Sequence, residues 1–223
     1  MSVAAVPGEG GAQNAPRSRK GEQTRARLLD AAKEIFEENG FLDARITDIA
    51  ERAGLSHGAF YHYFDSKEQV FREIAEMLDE YLSEVMETVI FAPGASVDPR
   101  ERIETALRSH FERYRDEARI MGVIEQVARY DEHVAAVRSA RNKLHRGQIE
   151  ASIRGMQRRG IADTTIDPKI AAAALGSMVE RFAEMSLAQG QLDCDTDDAA
   201  TTVARLFVNA LQMKPAKDTR FRS

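Results

Sequence analysis

The chain has a single cysteine, Cys194, in 223 residues. That excludes an internal disulfide framework and any cysteine-based zinc cluster, and it fits a reducing cytoplasm. No apolar run approaches the length that spans a bilayer. The N-terminal stretch MSVAAVPGEGGAQNAPRSRK lacks the charged start and long apolar segment of a signal peptide, so the expectation is a cytoplasmic protein with no membrane partner. Catalytic signatures are missing too. HExxH, GxSxG, Walker A and the dinucleotide glycine fingerprint do not occur, and the five histidines lack metal-ligand spacing with cysteine. The expectation is a non-enzyme that needs neither cofactor nor metal. A net charge of −5 argues against a generally basic nucleic-acid coat, but one local surface can still bind DNA.

What the chain does have is helical period, with no convincing alternating strand. Residues 1–20 are rich in Gly, Ala and Pro and read as a flexible arm, leading into a basic cluster of Arg17, Arg19, Lys20, Arg25 and Arg27. An apolar stripe of Leu28, Leu29, Ala32, Ile35 and Phe36 follows, stopped by Asn39-Gly40. Ile46, Ile49, Ala50 and Ala53 form a short second helix ending at Gly54, and Ser56 caps a third that runs to about Tyr63. Asp65 or Ser66 caps a fourth, with Glu68 or Gln69 in the capping-box position, running to about Ile90. Asp98-Pro99 starts the next helix, with Ile103, Leu107, Phe111 and Tyr114 on its stripe. Helices over 120–130 and about 133–159 precede Asp167-Pro168, a second Asp-Pro start, and a last helix spans about 197–213. The expected layout is an arm over 1–20, a small helical module over 21–68, a larger one over 69–213 and a tail over 214–223.

Within this layout, FYHYF puts five rings in a row from Phe60 to Phe64. On a helix successive side chains point about 100° apart, so the five cannot share one core. Phe60 and Phe64, four apart, are the core pair, packing toward Ile49, Ala53 and Leu55. Tyr61 and His62 project to the other side, beside His57 and Gly58. Two short helices joined at Gly54-Leu55, the second presenting imidazole and phenol groups, have the character of a helix-turn-helix.

The pattern RARLLDAAKEIFEENGF, followed by ITDIAERAGLSHGAFYHYFDSKEQVF, resembles the N-terminal DNA-binding domain of the TetR family of bacterial transcriptional regulators over roughly residues 22–71. The resemblance implies an all-α protein: a three-helix DNA-binding module followed by a larger helical module for ligand binding and dimerisation. It places base and phosphate contacts at Ser56, His57, Gly58, Ala59, Tyr61 and His62, with Lys67 meeting the DNA backbone near a helix N-terminus. Where the family usually has Thr or Ser as N-cap, this chain has Arg45, which cannot cap and opposes the helix dipole, so a phosphate is its expected partner. Thr47 stands where many members carry a basic base-reading residue. Specificity is then expected from His57, from Ala59 against a thymine methyl and from DNA shape.

By the same resemblance the last two helices pair with those of a second subunit, and a cavity in the larger module takes an effector. Ala172, Gly176, Val179, Val203, Phe207 and Leu211 are the candidate dimer residues. Met77, Tyr81, His110, Phe111, Tyr114, Met121, Ile124, Glu125 and Tyr130 are the candidate ligand residues, although such stripes also serve as plain core. Arg138, Arg141, Lys143 and Arg146 read as a solvated face unless a phosphorylated ligand meets them. The expected function is a homodimeric repressor of an inverted-repeat operator on double-stranded DNA, released by a small apolar or acyl-type effector. The alternatives are a DNA-organising factor without an effector and a helical protein-interaction adaptor.

Overall fold

Helix boundaries in the computed structural model follow local capping chemistry. The structure describes residues 18–90 and 98–214, with side chains excepted at 83 and 85–90. It divides into two compact units, up to Ile74 and from Ala75 onward, so the division falls inside one helix. All regular structure among the described residues is helical.

In the first unit, α1 (Arg19–Asp43) is capped by Ser18, whose side chain accepts from the Gly21 amide. It therefore begins inside the segment expected to be a flexible arm; the rest of that arm lies outside the described residues. The expected stop at Gly40 is a kink with φ of 72°, after which one short turn continues. Two residues of the basic cluster into which the arm leads work inside the unit. The Arg27 guanidinium donates to the Ala53 carbonyl, while Arg25 pairs with Glu73 and lies over the Phe64 ring at 4.7 Å.

Helix α2 (Ile46–Arg52) ends in a Schellman turn. The Leu55 amide donates to Ala50 O at 2.8 Å and the Gly54 amide to Glu51 O at 2.9 Å, with Gly54 at φ of 66°. Arg52 clamps α2 to α1 through Glu34 and Glu38, at 2.8 and 2.7 Å. Helix α3 (His57–Phe60) is shorter than the sequence suggests. From Tyr61 the amides of His62 and Tyr63 bond three residues back, to Ala59 and Phe60, and the helix tightens into a turn. Phe60 and Phe64 are fully buried, as their spacing requires.

Helix α4 (Lys67–Ile90) is capped by Ser66, which accepts from the Gln69 amide, while Gln69 reaches back to the Asp65 amide. The second unit holds the remainder of α4, α5 (Pro99–Asp116), α6 (Ala118–Val127), α7 (Glu132–Arg158), α8 (Pro168–Ala183) and α9 (Thr196–Ala210). Both Asp-Pro starts fold as read: Asp98 and Asp167 accept from amides of the first helical turns, with Pro at the first position. Glu184–Ala188 extend α8 as a π-helical turn, a form often found at functional sites.

Candidate DNA-binding surface and ligand cavity

In the first unit the exposed groups gather around α2 and α3. Ser56 caps α3 through the Ala59 amide at 3.2 Å, so its hydroxyl already has a structural task. That cap fixes the α3 backbone from which His57 and Tyr61 project. Their rings pack edge to face with centroids 5.3 Å apart, and Tyr61 keeps 47% of its surface. His62 is exposed beside them, and Tyr63 is half-buried. A Cβ at Gly58 would meet nothing within 4 Å, so the fold does not require glycine there. Ala59 is half-buried on the same short helix.

Arg45 stands at the N-cap of α2 in extended backbone and makes no capping bond. Among the described residues its guanidinium has no hydrogen bond or ion pair, and it is exposed at the positive end of the helix. Thr47 is exposed and its hydroxyl donates to Asp48 at 3.1 Å.

Lys67 requires a correction. Its ammonium donates to the carbonyls of Phe41, Leu42 and Ala44 at 2.7, 3.1 and 2.9 Å and lies 4.7 Å from the Phe41 ring centroid. An ammonium has three donors, and all are used. The side chain ties the end of α1 to the start of α4, and Nζ has no donor left for a phosphate. Lys67→Met is expected to destabilise the first unit by about 2 kcal/mol, since hydrogen bonds from a charged donor are lost. Hydrogen exchange of the amides in α1 and α4 measures it. A direct phosphate contact would instead leave exchange unchanged and lower the salt dependence of DNA binding.

The nine candidate ligand residues do not converge as expected. Phe111, Met121 and Ile124 are buried core, at most 2% exposed, while Met77, Tyr81 and Tyr130 are 41–56% exposed. Tyr81 instead carries the Arg113 guanidinium over its ring at 4.4 Å. His110, Tyr114 and Glu125 do come together, in a cavity of about 230 Å³ with Arg138, Arg141, Ser177, Glu180, Arg181 and Glu184. The side chains that line it are polar or ionic.

Ion pairs organise this cavity. Arg138 pairs with Glu125, Arg141 with Asp79 at 3.1 Å, and Arg181 with Glu184 at 2.8 Å. Burial pushes the carboxyls of Asp79, Glu125 and Glu180 up, against a downward pull from Arg138 and Arg141. Burial also pushes the Tyr114 phenol up and holds His110 down at about 3, so both are neutral at ordinary pH. The sequence reads Arg138 and Arg141 as a solvated face and does not single out Glu180, Arg181 or Glu184, although α7 carries a signal. Arg138 and Arg141 fall on the same stripe as Val134, Ile149, Ile153 and Met156, so charges stand where the helix is buried.

The dimer residues also need correction. Ala172, Val179, Val203, Phe207 and Leu211 are at most 6% exposed within a single chain, and a Cβ on Gly176 would meet Ile149 at 3.5 Å. They hold α8 and α9 onto their own unit. The outward apolar positions are Ile170, 70% exposed, and Leu206, 49% exposed, with Ala174 and Ala210 exposed on the same helices.

Residues 28–74 match the family model described as bacterial regulatory proteins, tetR family. The uncharacterized HTH-type transcriptional regulator YdgC of Bacillus subtilis is 27% identical over 180 residues, 78% of this chain and 86% of that protein. The HTH-type transcriptional repressor KstR2 of Rhodococcus jostii is 35% identical over 89 residues, 40% of this chain and 42% of that protein. The fold is similar to SmeT, the repressor of the Stenotrophomonas maltophilia multidrug efflux pump SmeDEF, with a TM-score of 0.68 at 23% identity over 89% of this chain and 93% of that one. The SmeT–triclosan complex is similar at a TM-score of 0.71 and 21% identity, covering 90% and 95%.

Proposed function

We propose that this chain, which belongs to the tetR family of bacterial regulatory proteins, is a homodimeric repressor that reads an inverted-repeat operator and is released from it by a small polar effector. It is a helix-turn-helix transcriptional regulator; repression, the operator and the effector are the proposed parts. The observation that carries the DNA reading is the cluster of unengaged groups around α3: His57, Tyr61 and His62 beside an open Gly58, with Arg45 at the start of α2. Such a cluster presents donors to phosphates and base edges, and Gly58 permits close backbone approach. DNA shape supplies the remaining specificity, because α3 carries no Arg or Lys.

The recognition helices of a dimer must lie one DNA turn apart, roughly 34–36 Å, to read two half-sites. The outward residues Ile170, Ala174, Leu206 and Ala210 support a partner face on α8 and α9. An effector that prefers a conformation with a different spacing lowers operator affinity by linkage. The polar cavity supports a polar effector over an apolar or acyl one.

Selection of bound duplexes from a random DNA pool, read with binding stoichiometry, tests the reading. An enriched inverted repeat held by dimers is the expected result. Weak, salt-sensitive binding without enrichment would refute the repressor reading and make the α3 surface a protein contact. With an operator in hand, Gly58→Leu is expected to fold like the parent, since its side chain enters open space. Its operator affinity should fall roughly tenfold or more, because that space is where DNA approaches. Unchanged affinity in a mobility-shift titration would move the DNA surface away from α3.

A further inference from the structure

We propose that the cavity lined by α5, α6, α7 and the α8 segment is a receptor for a small protonated amine that also carries a hydroxyl group. This rests on the effector reading above and names the chemistry of the effector. The cations of the cavity are already spoken for: Arg138 by Glu125, Arg141 by Asp79 and Arg181 by Glu184. Glu180 is the exception among the acids. Among the described residues it makes no hydrogen bond or ion pair.

Besides Arg141 Nε, two unpartnered atoms belong to residues lining the same cavity, His110 Nδ1 and Tyr114 Oη, on residues only 7% and 4% exposed. The residues are four apart on α5. The imidazole is held neutral and its Nδ1 has no partner, so with the ring proton on Nε2 this atom offers a bare lone pair. A carboxylate and a lone pair only accept, so their unmet capacity calls for a ligand rich in N–H donors. An ammonium supplies up to three donors and the charge that Glu180 lacks opposite it. The Tyr114 hydroxyl and the unpartnered Arg141 Nε are the available donors, and a ligand hydroxyl gives them an acceptor.

The competing chemistries fit less well. A carboxylate or phosphate ligand could accept from the free Nε of Arg141 but would then face Glu180, an acid with no cation paired to it. An acyl chain would leave the lone pair, the phenol and Glu180 buried without partners, which is the arrangement that polar burial penalises. Arg138, Arg141 and Arg146 act on Glu180 from a distance without pairing with it, and burial still pushes its carboxyl up. An ammonium in hydrogen-bonding contact would favour the carboxylate form.

Calorimetric titration of the full chain with two matched sets tests the proposal. One set is tyramine, tyrosol and hydroxyphenylacetate; the other is ethanolamine, ethylene glycol and glycolate. At least one amine is expected to bind about ten- to a hundredfold more tightly than its matched alcohol and acid, the worth of one charge-assisted hydrogen bond. Glu180→Gln should erase that preference, with its melting temperature showing that it folds, and Tyr114→Phe should weaken amine binding. The proposal fails if an alcohol or acid binds as well as its amine, if Glu180→Gln keeps the preference, or if no member of either set binds. Duplex selection by the ligand-free protein is independent of these outcomes. Its failure would refute the regulator reading, whereas loss of amine preference alone refutes only the effector class.

Discussion

Phe60→Ala is expected to destabilise the first unit by about 3–5 kcal/mol, the range for truncating a fully buried phenylalanine. Phe60 has no exposed surface, and its ring packs against Phe64 with centroids 5.8 Å apart. The cavity cannot easily collapse, because α3 spans only His57–Phe60 and is fixed at its N-terminal side by the Ser56 cap and the Gly54 turn. A domain of this size has little stability in reserve, so a loss of that order leaves much of it unfolded. The neighbouring ring gives the contrast. Tyr61→Phe removes one exposed hydroxyl, keeps the packing against His57 and should leave stability nearly unchanged while weakening operator binding. Hydrogen exchange of the α1 to α3 amides reads stability, and a mobility-shift titration reads binding. Equal losses of stability in both variants would overturn the assignment of the two faces.

The second large effect is expected at Asp79. Asp79→Ala removes the partner of Arg141, whose side chain is only 6% exposed and lies 3.1 Å from the carboxylate. Breaking a buried pair from one side typically costs about 3–5 kcal/mol, because the remaining charge is left without compensation. Burial pushes the Asp79 carboxyl up more than Arg141 pulls it down, so desolvation outweighs the attraction. The pair as a whole therefore adds little net stability. The double change Asp79→Leu with Arg141→Met should recover most of the loss while stripping the cavity of one cation. Urea unfolding of the two single variants and the double variant tests this. Additive losses would mean that the two residues do not act as a pair.

The helices were legible in the sequence to the degree that their causes are local. Asp98-Pro99 and Asp167-Pro168 start helices because a carboxylate accepts the first amides and proline has none to lose. Gly54 ends α2 because its positive φ permits the Schellman turn. The burial of Phe60 and Phe64 followed from a four-residue spacing. The α3 end was misjudged by one turn because the switch to shorter-range hydrogen bonds leaves no mark in residue type.

Residues whose role depends on a distant element were not legible. Lys67 looks like a surface cation until the carbonyls of Phe41, Leu42 and Ala44, more than twenty positions away, are brought to its ammonium. An apolar stripe on α8 or α9 does not say whether it meets its own chain or another; packing decided that Val179 and Phe207 turn inward and Ile170 and Leu206 outward. The sequence by itself determined the helical class, the caps and the recognition module, since periodicity and capping act within a turn or two. Only the tertiary structure decided that α5, α6, α7 and α8 enclose an ionic cavity with one acid left unpaired. Charge pairing across helices depends on which faces meet, and no local pattern encodes it.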